Sequence, residues 1–410
     1  MILRAFLLLA QALGPTGGSQ ALVGATLLDG RGGRPVPHAV VVVRGGRVEC
    51  AGAGCKVPPA ATVTDVSGLW ITPGIIDAHV HFSQTGWADG RPDFSDARDR
   101  FPYERVEAGL AAEPERFFRA DLCSGVTSVF DVGGYPWTMD MARREKDDPA
   151  APRVAAAGPL LSTIDFWLNL PAERQFLHLK DEAAAREDVR YLAARGAAAI
   201  KVWYIVDEQH TVEASAPLVI AAADEARRNN LPLIVHATGL KEAKVALKAG
   251  AKLLVHSVGD DDVDDEFLSL AKRNGTIYCP TLTVPDGYLR AMRAAASKTA
   301  PRVDDPNGCV DAMTLANVAA SATLAPPTPE RLARAEKGIA ESRVLTSANL
   351  KRVADAGIPI AMGTDAGNPL TLHGPSVYAE MEAMQASGLT PMQVLTASTQ
   401  GGSLAMGLED

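Results

Sequence analysis

Aromatic residues are scarce, at 5% of the 410 residues, and positive charge is in deficit: the formal net charge is −9 and the pI about 5.5. No basic patch with interleaved aromatics occurs, which excludes a nucleic-acid partner. No apolar run is long enough to cross a bilayer, which excludes a stable helical span. Cysteines number five, at 50, 55, 123, 279 and 309. An odd, sparse count excludes a disulfide framework, and the lack of CxxC spacing excludes a thiolate zinc site. Cys50 and Cys55 flank "AGAG" and can close across a hairpin if the protein is exported.

Apolar residues are plentiful, at 47%. That is enough core for one large domain and a small one. The N-terminus, "MILRAFLLLAQALGPTGGSQA", runs from Arg4 through an apolar stretch to small residues at 19–21. This is the plan of a secretory signal peptide over 1–20, so a secreted or periplasmic location is expected. A cytoplasmic location follows if the segment is only an apolar tail. Residues 21–73 read as short strands and turns, "AVVVVRGGRVECAG" among them, and imply a small β-sandwich.

After Pro73-Gly74 a strand–helix rhythm begins. Strands are expected at 75–81, 127–131, 153–157, 198–202, 233–236, 253–256, 277–280 and 358–363. Helices are expected between most of them, at 183–195, 218–229, 240–249 and 331–356 among others. Eight strands alternating with helices predict an α/β fold, a (β/α)8 TIM barrel over 74–400. A doubly wound sheet would place a glycine-rich phosphate loop after the first strand, and "DAHVHF" is not one.

In such a barrel, chemistry sits at the C-terminal strand ends. Those ends carry His79 and His81, Lys201, His236, His256 and Asp365. His79 and His81 lie two apart on a strand and so share a face. His236 and His256 are 20 residues apart, one βα unit, and come from adjacent strands. Each residue alone has a bland explanation: a satisfied core histidine, a helix N-cap for Asp365, a snorkelling Lys201. Jointly these require six coincidences at one end of one barrel. Lys201, inside the apolar "AAAIKVWYI", finds its reason here. A neutral lysine can take up carbon dioxide, and the carbamate offers two oxygens that can bridge two metals. Burial near cations makes the neutral form accessible.

The stretches "ITPGIIDAHVHF", "GVTSVFDVGG", "AIKVWY", "IVHATG", "LLVHSVGD", "CPTLTV" and "MGTDAG" resemble the amidohydrolase superfamily of binuclear type. They are most similar to its imidazolonepropionase-like and Xaa-Pro-dipeptidase-like branch. The resemblance implies one divalent metal on His79, His81 and Asp365 and a second on His236 and His256. N6-carboxylysine at Lys201 and a hydroxide would bridge them. Zinc is the expected metal, with manganese or cobalt as alternatives. The implied reaction is hydrolysis of an amide-like C–N bond in a small-molecule substrate of dipeptide or N-acyl amino acid type. Asp365 is the general acid/base, and Asp77 a partner behind the ligands. A lactonase or phosphotriesterase on the same metals is the alternative. A mononuclear deaminase, expected to carry Glu where this chain has Gly239, is less well matched, and an interaction protein would not retain all six residues.

The chain departs from the pattern at Thr238, where dipeptidases of this branch usually carry tyrosine. The bridging lysine departs from imidazolonepropionases proper. Relatives also continue beyond "STQGGSLAMGLED" into strands that return to the small domain, so 401–410 is expected to begin a truncated return. Homo-oligomerisation is left open. For the substrate, four of the five tryptophans, Trp87, Trp137, Trp167 and Trp203, follow the first four barrel strands, with Phe82, Tyr135, Phe166 and Tyr204 nearby. An aromatic wall is expected there, led by Trp203. Trp203, Tyr204, Tyr135, Trp137, His210 and His373 are the expected substrate contacts.

Overall fold

The structure is a computed structural model that describes residues 18–91, 94–165 and 175–408. Two compact units divide the chain, Met1–Gly74 and Ile75–Asp410. Of the expected signal peptide, residues 1–17 lie outside the described residues, and the first strand already begins at Ser19.

The first unit holds β1 (Ser19–Leu27), β2 (Val36–Arg44), β3 (Arg47–Gly52), β4 (Thr62–Asp65) and β5 (Trp70–Ile71). β2 joins β3 through Gly45 and Gly46, both at positive φ, which a two-residue hairpin turn requires. The expected sandwich is, among the described residues, a single sheet ordered β3-β2-β1-β4, with β5 also on β1. β4 and β5 are short and follow one another along the same edge of β1 in parallel, so they extend that sheet and do not stack on it. Cys50 and Cys55 are disulfide-bonded.

The second unit carries β6 (Ile75–Val80), β7 (Val126–Asp131), β8 (Arg153–Ala156), β9 (Leu160–Ser162), β10 (Phe176–His178), β11 (Ile200–Trp203), β12 (Leu233–His236), β13 (Leu253–Val255) and β14 (Ile277–Cys279). Its helices are α1 (Tyr103–Ala112), α2 (Glu115–Cys123), α3 (Trp137–Arg144), α4 (Glu182–Ala194), α5 (Val212–Arg228), α6 (Leu240–Ala249) and α7 (Asp265–Asn274). They continue as α8 (Val284–Ser297), α9 (Ala312–Ala319), α10 (Pro329–Asp355), α11 (Ser376–Ala386), α12 (Pro391–Thr396) and α13 (Gly402–Met406). All strand pairs are parallel, in two sheets ordered β6-β7-β8 and β10-β9-β11-β12-β13-β14. β13 is wholly apolar and buried, as a strand covered on both faces must be, while β11 and β12 are apolar apart from Lys201 and the strand-end His236. Local signals start and stop the helices. Asp181 caps α4, Asp264 caps α7, and Gly250 and Gly275 end α6 and α7 at left-handed φ.

The expected eighth strand is not a regular strand. Its segment makes only isolated bridges, Tyr278 with Ile360 and Val80 with Ala366. Backbone hydrogen bonds nonetheless seat it between β14 and β6. On one side Tyr278 N donates to Pro359 O and Ala361 N to Tyr278 O. On the other, Ala78 N donates to Met362 O and Asp365 N to His79 O. The opposite gap is spanned where Ala198 N donates to Ala156 O at 2.8 Å. β9 and β10 were not expected; they lie in the connection between β8 and β11. Residues 401–410 were expected to leave for the small unit. Within that stretch Gly402–Met406 form α13, and Gly402 packs so closely on Ile76 that a Cβ would sit 2.6 Å from that side chain.

Candidate active site

Parallel register brings the strand ends level: Trp203 pairs with His236, and His236 with Val255, the neighbour of His256. β6 delivers His79 and His81 to one face, and the irregular segment delivers Asp365 opposite them. His79 Nε2 lies 3.2 Å from His81 Nε2. Asp365 Oδ1 lies 3.2 Å from the first and 2.9 Å from the second. His256 offers a ring nitrogen within 4.8 Å of His79 and Asp365 ligand atoms. The ring centroid of His256 is 5.0 Å from that of His79 and 4.2 Å from that of His236. Lys201, 1% exposed, lines the same cavity of about 620 Å³. Six strand-end residues named from sequence thus converge on one place.

The electrostatics follow from burial. It pushes His79 and His236 down to about 3, and His256 well below its ordinary value, so these imidazoles are neutral and keep a lone pair. Burial opposes charge on Asp365 too, but His79 and His81 outweigh it and hold its carboxyl well below the usual range. Burial lowers Lys201 to about 8, where the free amine is accessible near neutrality. His81 Nδ1 donates to Gly133 O at 2.6 Å, which turns its Nε2 lone pair toward Asp365. Asp77 does not touch an imidazole. It accepts from His79 N, Thr364 N and Thr364 Oγ1 at 3.1, 2.9 and 2.5 Å, tying β6 to the segment that carries Asp365. His256 and Asp365 both take positive φ, at 71° and 61°, in a region costly for residues with a Cβ.

These residues fit divalent metal. Three acceptor-type atoms crowd one point, and Asp365 Oδ1 is buried without an aligned hydrogen-bond donor. A cation there would relieve the crowding, and nitrogen with carboxylate is a donor set that suits zinc or its neighbours.

Of the expected substrate contacts, only Trp203 lines the cavity, beside Phe176 at 5.1 Å and His236 at 6.3 Å between ring centroids. The others are placed elsewhere. Tyr204, the next residue along the strand, is turned into the core by alternation, and its hydroxyl donates to Val212 O. Tyr135 is buried against the Tyr103 hydroxyl, and Trp137 opens α3. His210 pairs with Asp207 of its own loop. His373 stacks on Phe82 behind the site and reaches His81 O. Trp87 is fully buried, its indole N–H donating to Ser321 Oγ. Phe166 and Trp167 lie outside the described residues. The sequence reading missed Arg91, Tyr288 and Asn368, which also line the cavity. The Arg91 guanidinium donates to Asn368 Oδ1 and lies 5.8 Å over the Tyr288 ring. Tyr288 donates to the same Asn368 oxygen at 2.7 Å, and Asn368 Nδ2 donates to Asp365 O at 3.0 Å. No period or spacing marks loop residues of this kind.

The Amidohydrolase family matches residues 70–410. The chain belongs to this family. Membership makes it an enzyme, an amidohydrolase acting on C–N bonds. It is 29% identical to an imidazolonepropionase of Mesorhizobium japonicum over 282 residues, 62% of this chain and 67% of that one. It is 24% identical to the ochratoxinase of Aspergillus niger, over 94% of this chain and 76% of that one. Among solved structures, a Xaa-Pro dipeptidase with bound methionine superposes with a TM-score of 0.67 at 21% identity, covering 96% of this chain and 90% of that one. Such fold likeness implies a TIM barrel with a small N-terminal domain, and the strand order of the second unit agrees with it.

Proposed function

We propose that this amidohydrolase uses two divalent metals, zinc by preference, to hydrolyse an amide-like bond in a small dipeptide or N-acyl amino acid. The observation that carries the reading is the convergence of His79, His81 and Asp365 within 3.2 Å, with His236, His256 and Lys201 on the same cavity. His79, His81 and Asp365 would hold one ion, His236 and His256 the other, and carboxylated Lys201 would join them. Bound there, such ions supply hydroxide at neutral pH and polarise a carbonyl. Asp365 is the chain's own proton carrier: it takes a proton at its carboxylate and returns it to the leaving nitrogen.

Trp203 and Phe176 form an apolar wall suited to a bulky or aromatic group beside the scissile bond. Arg91 lines the same cavity and is coupled through Asn368 to the Asp365 loop, so it would offer a cation to a substrate acid. Pairing with a substrate carboxylate would compensate for Thr238 standing where relatives carry tyrosine. The Xaa-Pro dipeptidase named above supports a dipeptide-like substrate. We further infer an oxidising compartment, because Cys50–Cys55 and Cys123–Cys309 are both bonded. N-terminal sequencing of the protein from fractionated cells checks that point.

The test is a screen of N-acyl amino acids, dipeptides and matched esters with metal-reconstituted protein, alongside elemental analysis. Two ions per chain and amide turnover are expected. Turnover of the esters alone makes the protein a lactonase- or phosphotriesterase-like enzyme and overturns the amide reading.

A further inference from the structure

Thr281, in the loop after β14, sits at φ 46°, a region a β-branched residue avoids. Its Oγ1 is 2.6 Å from His256 Nδ1, and His256 is itself at positive φ. Two residues in costly backbone conformations therefore meet through one hydrogen bond. Such geometry persists only where the surroundings impose it.

The surroundings here include Glu380 of α11, 0% exposed. Its carboxylate accepts three hydrogen bonds from the residues just after Thr281: Leu282 N at 2.7 Å, Thr283 N at 3.0 Å and Thr283 Oγ1 at 2.9 Å. Thr283 is the N-cap of α8, yet its side chain makes no capping bond within its own helix. It donates to Glu380 instead. The carboxylate thereby holds the two residues that lead into a 14-residue helix, at its positive end.

We infer that Glu380 is a positioning residue for His256, acting through the turn at 281–283. With that turn pinned, Thr281 Oγ1 accepts from Nδ1–H and leaves the Nε2 lone pair of His256 facing the metal cluster. The same contact sets the entry of α8, which carries Tyr288 to the cavity wall. The inference rests on the proposed metal site, because a fixed tautomer serves a ligand.

The test pairs Thr281→Val, which keeps the shape and removes the oxygen, with Thr281→Ser, which restores it, and adds Glu380→Gln. Two readouts are used: zinc and cobalt dissociation constants from chelator competition, and the His256 tautomer in metal-free protein by nitrogen NMR. Thr281→Val and Glu380→Gln should weaken one of the two ions roughly 10–100-fold, the range for losing a partner behind a histidine ligand. The other ion should be held as in wild type, Thr281→Ser should restore affinity, and Thr281→Val should lose the single Nδ1–H tautomer. Unchanged affinities and tautomer in Thr281→Val, with two ions still bound by wild type, overturn the positioning role alone. Wild-type protein that holds no metal overturns the metal reading and this inference together. If Glu380→Gln does not fold, the Thr281 pair alone decides.

Discussion

Lys201 lies 1% exposed on the cavity wall, where a cation would be repelled by any metal held nearby. Its burial favours the neutral amine, the form that can take up carbon dioxide. Protein exchanged into 13C-bicarbonate should show one carbamate resonance. Lys201→Met should lose that resonance, one or both metals and most activity. A variant that keeps wild-type activity shows that the lysine bridges nothing. Trp203 is open to a different measurement, since it is the one expected aromatic contact that lines the cavity. Trp203→Ala should lower kcat/KM for phenylalanyl-type substrates about tenfold more than for alanyl ones, corresponding to about 1.4 kcal/mol. Equal losses make it structural. Alternation on a strand puts Trp203 on the cavity wall with Lys201, and the same rule turns Tyr204 away. His210 and His373 had only loop positions to recommend them, and a loop side chain's direction is set by neighbours that spacing does not reveal.

Among the elements, regular helices were the most legible. α6 spans the residues its pattern predicts, and α4 and α10 begin and end within two residues of expectation. Their caps and apolar faces are written locally. The segment at 358–366 was harder to read, because its apolar run looks like a strand while hydrogen bonds to β14 and β6 shape it residue by residue. Gly363 shows how tightly it is held. A Cβ there would lie 2.5 Å from Cys279 Sγ and 2.8 Å from His79 Cβ. Gly363→Ala should therefore push β6 aside, destabilise the protein by roughly 1–3 kcal/mol, as overpacking does, and weaken metal binding through His79. Calorimetry with and without zinc checks both effects; an unchanged zinc-dependent rise in Tm would show that His79 does not move.

Over the whole molecule, a cross-link joins distant parts of the chain. Cys123 at the end of α2 bonds Cys309, 186 residues away. Closing so long a loop restricts the unfolded chain, and Cys309→Ser should cost roughly 2–5 kcal/mol of stability. Denaturant midpoints of wild type and variant compare directly, and identical midpoints would show that the bond does not form. The odd cysteine count hid this pair: Cys279 is the unpaired one, buried at the end of β14. The sequence by itself determined the strand–helix alternation and the position of Lys201 and the histidines at the strand ends, because strand periodicity and residue type are local and survive without knowing the fold. Only the tertiary structure decided that Cys123 meets Cys309, that Arg91 reaches the Asp365 loop and that Glu380 holds the turn at 282–283. The contacts behind them join residues between 97 and 277 apart in the chain, and distance along the chain carries no information about distance in space until the parallel register brings the strand ends level.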